Sequence, residues 1–374
     1  MDKDIKELLT RGVSEVIVRE NLEARLQSGE KLRVKLGIDP TSPNIHIGRA
    51  VLLWKLRAFQ DLGHTAVFIV GDATGIVGDS SDKESERPRL TQAQVKENMK
   101  NYFDQAFKIL DKKKTETHYN SEWLSKLGFE ELANMANLFG LHEFTSREVI
   151  ARRIGAGERV SFHEVLYPLM QGYDSVAVKA DVELGGTDQR FNLLTGRRIQ
   201  PLYNQKPQDI LMMDLLEGLD GRKMSSSWGN VVNITDKPND MFGKIMSMKD
   251  DSVSRYFECA TRVSMDEVGK IMGGHPKEAK MRLAKEIVTL YHGDGEAKKA
   301  EENFVKTFSR REIPEDIKKV EVKKGTPLAE VLIQEGVIKS KTEFNRLDKA
   351  GAIEEMKNGV YRVGKHRFIQ INFS

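Results

Sequence analysis

The sequence predicts an α/β protein: a parallel sheet with helices in its N-terminal part, then a helical part and a small α+β domain. Apolar strands and an amphipathic helix alternate over residues 32–70, which is typical of a βαβ unit. From residue 235 to 315 the apolar spacing is helical throughout. Polar segments follow four predicted strands, at residues 36–49, 71–87, 184–192 and 218–230. Ligands bind at the carboxyl ends of parallel strands, so these segments are expected to open onto one crevice.

Length and composition narrow the function classes. The 374 residues, 42.4 kDa, suggest two or three domains. With 39% hydrophobic and 31% charged residues, the composition is that of an ordinary folded protein. No run approaches the roughly 18 apolar residues of a membrane helix, and residues 1–6 are too charged for a signal peptide. Cys259 is the single cysteine, which excludes a disulfide framework and a cysteine-based zinc site, so we expect a cytoplasmic protein without a membrane partner.

The elements are predicted in order from apolar periodicity. Residues 4–28 are expected to form one amphipathic helix that Gly29 closes. The next elements are a strand at 32–38, a turn at 39–44, a helix at 47–62 and a strand at 65–70. Residues 92–180 read as largely helical, and residues 323–327 as a linker. Strand, helix and strand in this order predict parallel pairing.

The first motif with chemical meaning is Asp39-Pro40-Thr41 followed by His46-Ile47-Gly48-Arg49. His46 lies where a helix begins after a strand, and free backbone N–H groups there favour phosphate. Gly48 allows a ligand to approach the backbone closely. Taken alone, the motif is explained more simply as a turn with a capping histidine.

The second motif is the loop 220–230, which is flanked by glycines and contains Lys223 and three consecutive serines. Such a loop can close over a triphosphate, because the lysine neutralises charge and the hydroxyls donate hydrogen bonds. An exposed serine-rich surface loop is an equal alternative for this segment alone.

Together, His-Ile-Gly and Lys-Met-Ser-x-Ser on a parallel sheet resemble the paired signature of class I aminoacyl-tRNA synthetases. Further segments closely resemble bacterial tyrosyl-tRNA synthetases over essentially the whole chain, namely 37–41, 78–79, 83–87, 167–174 and 184–189. The resemblance implies a Rossmann-like nucleotide-binding catalytic domain at 1–230 with a helical insertion near 120–165. It also implies a helical anticodon-recognition domain at 231–320 and a small RNA-binding domain at 321–374, similar to ribosomal small-subunit protein S-four.

The resemblance implies a reaction in two steps. The carboxylate of tyrosine attacks the α-phosphorus of ATP, and the 3′-terminal adenosine of tRNA(Tyr) then accepts the tyrosyl group. Neither step needs a nucleophile from the protein, and positioning and charge stabilisation dominate such chemistry. Mg²⁺ is expected to arrive with ATP, without a dedicated protein metal site. A homodimer is implied, with residues 129–141 as the candidate contact and an ordinary core helix as the alternative.

The nucleotide site is implied by similarity to the family. Side chains of the two motifs and of the loop between them are expected at the phosphates: Thr41, His46, Arg49, Lys83, Arg87, Lys223, Ser225 and Ser226. For Lys83 and Arg87, a solvated charged loop is the alternative. Residues that resemble the family's adenosine site are Gly37, Asp39, Gly48, Gly186, Asp188 and Met224.

The tyrosine site is implied in the same way. Residues matching the family's ammonium and carboxylate contacts are Asp79, Tyr167, Gln171 and Gln189. Asp174 matches the residue that hydrogen-bonds the phenolic hydroxyl, a surface carboxylate being the alternative. Lys35 is also assigned to the tyrosine site, because it stands where many relatives place a tyrosine as the second phenol contact.

The C-terminal segment carries the excess charge. The chain has 59 basic and 56 acidic residues, and residues 321–374 contain ten basic and seven acidic ones, a net of +3. Side chains expected to contact tRNA are Lys339, Arg346, Lys365 and Arg367. A solvated surface on a small packing domain is the alternative.

Two other functions remain open at this point. Tryptophanyl-tRNA synthetases share the signature but lack the RNA-binding tail and carry a different helix in place of 167–174. A catalytically silent, RNA-binding relative is the other possibility, because Arg49 and Ser226 depart from the usual histidine or asparagine and the usual lysine.

Overall fold

The computed structural model of the chain describes residues 2–79, 90–309, 317–323, 325–356, 359–364 and 367–373. The chain divides into two compact units. One comprises Met1–Asp236 with Met248–Leu283, and the other Lys237–Ser247 with Ala284–Ser374. Within the described ranges, no helix combines the length and apolarity needed to cross a membrane.

In the described part of the first unit, six strands form one sheet in the order β1-β6-β5-β2-β3-β4. They are β1 (Val13–Ile17), β2 (Arg33–Ile38), β3 (Thr65–Val70), β4 (Thr115–Tyr119), β5 (Val182–Gly186) and β6 (Asp209–Met213). The strands β2 to β6 pair in parallel, and β1 pairs antiparallel with β6. The predicted parallel sheet is therefore confirmed, with one antiparallel strand at its edge.

The helices follow in chain order. They are α1 (Lys3–Thr10), α2 (Arg19–Gln27), α3 (Ile47–Asp61), α4 (Asp72–Val77), α5 (Gln92–Met99), α6 (Tyr102–Ala106), α7 (Ser121–Leu124), α8 (Phe129–Ala136), α9 (Leu141–Thr145), α10 (Glu148–Gly155), α11 (Phe162–Ala177), α12 (Arg190–Ile199), α13 (Pro238–Met246), α14 (Val253–Ala260), α15 (Met265–Met272), α16 (Pro276–His292) and α17 (Asp294–Phe304). The predicted helix 47–62 and the helical character of 235–309 are confirmed.

The N-terminal prediction of one long helix over 4–28 is wrong. Strand β1 separates α1 from α2, and the left-handed backbone of Gly12 (φ 63°) and Val18 (φ 52°) brackets it. Its β-branched residues pair with β6, a partner almost 200 residues away. Apolar spacing cannot reveal such a partner, because a valine-rich segment fits either structure until pairing decides.

Strand β4 was also absent from the prediction, which treated residues 92–180 as largely helical. Its sequence, Thr-Glu-Thr-His-Tyr, has few apolar residues, yet Ala66 to Val70 of β3 pair with it in parallel. An edge strand needs only one partner and buries little, so its sequence carries a weak signal.

The helical insertion packs on α11 and α12. Met135 and Phe144 of the insertion form a buried cluster with Leu169, Val176 and Ile199. Helices α11 and α12 approach closely, because a Cβ on Gly172 would come within 3.2 Å of the backbone nitrogen of Gly196. Gly172 therefore allows α11 to pack directly on the backbone of α12.

The second unit ends in a small sheet with its own core. In the described residues, its strands are β7 (Lys318–Val322), β8 (Ile353–Glu355), β9 (Val360–Val363) and β10 (Arg367–Phe373), in the order β7-β10-β9-β8. Helices α18 (Leu328–Gln334) and α19 (Lys341–Lys349) contribute to this domain. Its buried core comprises Val331, Leu332, Ile338, Val363, Ile369 and Ile371. Two short helices and the antiparallel hairpin β9–β10 therefore enclose this core.

Candidate active site

His46 caps the N-terminus of α3 at the carboxyl edge of the sheet. Its Nδ1 accepts a hydrogen bond from the Arg49 backbone N–H at 3.3 Å. Burial, together with the charges of Arg49 and Lys223, lowers the pKa of His46 to about 3. The imidazole is therefore neutral near pH 7, and its Nε2–H is left as a donor for an anion at the helix terminus.

The two sequence motifs lie against each other, although about 180 residues separate them. The Gly48 backbone N–H donates to Met224 Sδ at 3.3 Å, and Ser226 Oγ donates to Ser42 Oγ at 3.2 Å. A Cβ on Gly48 would lie 3.1 Å from His46 Nδ1 and 3.2 Å from Met224 Sδ. Glycine at position 48 thus allows the loop 220–230 to close on the start of α3.

The cation of the second motif reaches the end of β5. Lys223 Nζ forms an ion pair with Asp188 at 2.9 Å. Gly186 makes room for this carboxylate, because a Cβ there would come within 2.6 Å of Asp188 Oδ1. Ser225, in the same loop, donates its backbone N–H to Asn230. The structure thus brings the proposed adenosine residue and the proposed phosphate lysine together.

Asp39 directly follows β2, and Arg49 in the first turn of α3 reaches the segment after that strand. The Arg49 guanidinium donates to Thr41 Oγ1 at 2.7 Å and to Tyr102 Oη at 2.9 Å. Asp39 accepts hydrogen bonds from Thr74 Oγ1 at 2.7 Å and from Tyr167 Oη at 2.9 Å. Burial raises the pKa of Asp39 to about 6, although both hydrogen bonds oppose that shift. Gly37, near the end of β2, has an exposed backbone.

Asp174 lies in the interior of α11, with 4% of its surface exposed. Trp123 Nε1 donates to Oδ1 at 2.7 Å, and Asn120 Nδ2 donates to Oδ2 at 3.2 Å. Burial raises the pKa of Asp174 to about 7, opposed by the charge of Lys35 and by these two hydrogen bonds. The surface-carboxylate alternative is wrong, since this is a buried, oriented acceptor.

Asn120 and Trp123 were missed in the sequence. Both follow β4, and polar residues after a parallel strand are the signal that identified the other segments. That signal was invisible because β4 itself was not predicted.

The remaining residues of the proposed tyrosine site are also close together. Gln189 Nε2 donates to Asp79 Oδ2 at 2.7 Å, which joins the end of β5 to the segment after α4. Gln171 lies one turn after Tyr167 on α11, and its Nε2 donates to Glu183 Oε1 at 3.2 Å. Acceptors suited to an ammonium group therefore face the same region as Asp174.

Lys35 lies behind this region and is fully buried. Its ammonium donates to the Gln171 carbonyl at 2.9 Å and to Ser175 Oγ at 2.8 Å, and it forms an ion pair with Glu183 at 2.8 Å. Glu183 was not singled out in the sequence, and a charge inside an otherwise apolar strand is the signal that could have found it.

Lys83, Arg87 and Lys365 lie outside the described residues. Lys339 and Arg346 are exposed in the C-terminal domain, whereas Arg367 forms an ion pair with Glu343 at 2.9 Å. In the described segments, no group of three or more acidic, histidine or cysteine side chains is arranged to hold a metal ion.

Comparison with known proteins gives a consistent family. Residues 27–309 match the family model described as tRNA synthetases class I (W and Y). The tyrosine–tRNA ligase of Idiomarina loihiensis is 43% identical, covering 98% of this chain and 97% of its own. That of Thermotoga maritima is 42% identical, covering 98% of this chain and 96% of its own.

Solved structures show the same fold. A C-terminally truncated mitochondrial tyrosyl-tRNA synthetase of Aspergillus nidulans has a TM-score of 0.68 at 23% identity, covering 82% of this chain and 95% of its own. The tyrosyl-tRNA synthetase of Archaeoglobus fulgidus, solved with L-tyrosine, has a TM-score of 0.63 at 23% identity, covering 80% of this chain and all (100%) of its own.

Proposed function

The chain belongs to the tyrosine–tRNA ligase family of the class I tRNA synthetases, and from that premise we propose how its residues carry out the reaction. The enzyme activates tyrosine with ATP and transfers the tyrosyl group to tRNA(Tyr). One observation supports the site most strongly: the backbone N–H of Gly48, in the first motif, contacts Met224 of the second, and Lys223 beside it pairs with Asp188 at the end of β5.

In the first step, the carboxylate of tyrosine attacks the α-phosphorus of ATP and pyrophosphate leaves. The neutral His46 donates its Nε2–H to the phosphates, and Thr41, Arg49 and Lys223 add donors and positive charge. Ser225 and Ser226 add hydroxyls, and Lys83 and Arg87 complete the proposed set for the leaving pyrophosphate. Such groups accelerate the reaction because they stabilise charge that develops in the transition state. Mg²⁺ enters with ATP as part of the substrate.

The adenosine half of ATP occupies the ends of β2 and β5. Gly37 leaves open space for it, Gly48 and Gly186 let Met224 and Asp188 come close to the backbone beside it, and Asp188 accepts from the ribose hydroxyls. Asp39 is held by Thr74 and Tyr167, so its orientation is fixed before the nucleotide arrives. Met224 packs on Gly48 and closes the site.

Tyrosine binds with its phenol directed at Asp174. The carboxylate has two fixed donors already, and the phenolic hydroxyl adds a third. Phenylalanine would leave this buried acceptor without that partner, and tyrosyl-tRNA synthetase is the standard example of such rejection. Asp79, Tyr167 and Gln171 accept from the ammonium group, with Gln189 near the substrate carboxylate.

For the second step, we propose that residues 231–320 recognise the anticodon and that residues 321–374 bind the tRNA backbone. Lys339 and Arg346 are exposed cations there, suited to phosphate contacts that set position and affinity. Arg367 is paired with Glu343, so its contribution includes holding the domain together. Cytoplasmic location follows from this role in protein synthesis.

We propose a homodimer through the helical insertion. Phe129 at the start of α8 is 86% exposed, Leu141 at the start of α9 is 65% exposed, and the nearby Phe162 is 69% exposed. Large apolar side chains this exposed are typical of a surface that another protein covers. Sedimentation of the wild type and of Phe129→Asp tests it: the wild type should sediment as a dimer and the variant as a monomer.

ATP–pyrophosphate exchange with a panel of all amino acids tests the proposed activity. Exchange should depend on tyrosine and not on phenylalanine or tryptophan. Exchange with tryptophan alone would establish the related specificity. A protein that binds tRNA but exchanges with no amino acid would be the silent RNA-binding relative.

His46→Ala separates these outcomes within one protein. In a ligase, the substitution should lower exchange by roughly 100-fold, the usual cost of one transition-state donor, and leave tRNA binding intact. If exchange is unchanged in His46→Ala, the role given to the imidazole is wrong.

A further inference from the structure

A buried ion pair lies behind the tyrosine site. Lys35 and Glu183 have side chains 0% and 1% exposed, and their charged atoms are 2.8 Å apart. Burying two charges is costly, and a pair of well-packed apolar residues is often as stable. A pair at this position therefore calls for a role beyond stability.

The hydrogen bonds of the ion pair connect it to helix α11 and to Gln208. Lys35 donates to the carbonyl of Gln171 and to Ser175 Oγ. Glu183 accepts from Gln171 Nε2 at 3.2 Å, from Ser175 Oγ at 3.1 Å and from Gln208 Nε2. The pair thus holds α11 by hydrogen bonds at residues 171 and 175, which flank Asp174 in the sequence.

The side chains around the ion pair are tightly packed. A Cβ on Gly196 of α12 would lie 2.9 Å from Gln208 Nε2, 3.0 Å from Ser175 Oγ and 3.4 Å from a Glu183 oxygen. The ammonium of Lys35 has three N–H bonds, and Gln171, Ser175 and Glu183 accept one each. Lys35 consequently acts on the substrate through its neighbours and not by direct contact.

We propose that Lys35 and Glu183 are positioning residues that fix the geometry and the charge of the phenol-reading carboxylate, and so determine the preference for tyrosine over phenylalanine. The inference rests on the proposed function. In the usual family pattern a second phenol contact occupies position 35. Here a charge pair behind the pocket takes the place of that contact and acts through Asp174.

The groups facing Asp174 have opposing effects. Lys35 from β2 lowers the pKa of Asp174, as do the donors Trp123 and Asn120 from the region of α7, while Glu183 from β5 raises it. On the same helix, burial raises the pKa of the Tyr167 phenol, and the negative charges of Asp39, Asp79 and Asp174 add to that shift. Burial is the largest contribution to the raised pKa of Asp174. Lys35, Trp123 and Asn120 oppose it, and Glu183 adds to it.

Because Lys35 and Glu183 carry opposite charges, replacing one or the other should shift the pKa of Asp174 in opposite directions. Lys35→Met removes the compensating cation, so Asp174 should hold its proton to higher pH. Glu183→Gln keeps the shape and one acceptor oxygen but removes the competing anion, so Asp174 should release its proton at lower pH. A purely structural pair would give two variants with the same kind of defect.

The experiment measures the KM for tyrosine in ATP–pyrophosphate exchange from pH 5.5 to 9. KM should rise as pH falls through the pKa of Asp174, because the protonated carboxyl is a weaker acceptor. Lys35→Met should move this rise to higher pH by about one pH unit, and Glu183→Gln to lower pH by a similar amount. At pH 7, Lys35→Met should raise the tyrosine KM about fivefold with kcat changed less than twofold.

Controls separate electrostatics from packing. The double variant Lys35→Met/Glu183→Gln should return to the wild-type pH profile. Arg33→Met, on the same strand, breaks a partly exposed pair with Glu116 and should leave the profile unchanged. ATP–pyrophosphate exchange with phenylalanine should be as poor at low pH as at high pH. Compared with tyrosine-dependent exchange in the same protein, it should become better in Lys35→Met.

Two results would overturn the inference. Shifts of the two single variants in the same direction, or no shift in Glu183→Gln, would reduce the pair to a structural role. Glu183→Gln keeps the volume of the side chain, so it answers the question even if Lys35→Met does not fold. A wild type without tyrosine-dependent exchange would refute the proposed function itself, which distinguishes the two failures.

Discussion

Asp174→Asn should make the protein more stable while it impairs tyrosine recognition. The wild-type carboxylate is 4% exposed, and burial raises its pKa from 3.8 to about 7 despite hydrogen bonds from Trp123 and Asn120. Between about pH 4 and pH 7, Asp174 therefore keeps its proton in the folded state, whereas the unfolded state has released it. Asparagine keeps the shape and has no charge to bury.

The magnitude follows from proton linkage. Because the folded pKa is raised, the stability of the wild type decreases as pH rises from about 4 to about 7, by roughly 1.4 kcal/mol per pH unit. The full cost above pH 7 is roughly 4 kcal/mol, and below pH 4 it disappears. The stabilisation by Asp174→Asn should thus be largest at pH 8, at about 2–4 kcal/mol since asparagine pairs less well with its donors, and small at pH 5.

Urea unfolding followed by tryptophan fluorescence measures this difference. Trp54, Trp123 and Trp228 all lie in the first unit, so the signal reports the unit that contains Asp174. Asp61→Asn, an exposed carboxylate on α3, serves as the control with no pH-dependent gain. If Asp174→Asn were no more stable than the wild type at pH 8, or if its gain did not shrink at pH 5, the buried-charge argument would be wrong.

Three further predictions concern the nucleotide and tRNA sites. Gly48→Ala places a methyl group 3.2 Å from Met224 Sδ, so the KM for ATP should rise about tenfold, and an unchanged KM would show that the loop is not held there. Lys223→Met removes the cation next to Asp188 and should reduce the exchange rate by roughly 100-fold, whereas a normal rate would remove Lys223 from the phosphate site. Lys339→Glu with Arg346→Glu should raise the KM for tRNA in aminoacylation roughly tenfold, with a weaker dependence on salt, and leave tyrosine exchange unchanged; loss of exchange would mean that these side chains support the fold.

Whether a helix or strand could be predicted from the sequence depended on whether nearby or distant residues determine it. The strand at 33–38 and the helix at 47–61 were predictable because their apolar periodicity is strong and their ends are marked by turn residues. Strands β1 and β4 were not, since each lies at an edge of the sheet and is defined by pairing with a distant strand. The error at β4 carried over to the site, because Asn120 and Trp123 follow that strand.

The sequence by itself determined the chemistry of this protein. The pairing of His46-Ile47-Gly48 with Lys223-Met224-Ser225, together with the residues of α11, identified the family, since short motifs specify which groups can meet a phosphate or a phenol.

Only the tertiary structure decided the protonation and the pairing of those groups. Lys35 stands in the usual position of a substrate contact, yet packing of β2 against β5 and α11 gives it Glu183 as a partner. Burial raises the pKa of Asp174 to about 7 and lowers the pKa of His46 to about 3, so His46 is uncharged at neutral pH. Desolvation and charge pairing depend on what surrounds a side chain in space, and no sequence spacing encodes that surrounding.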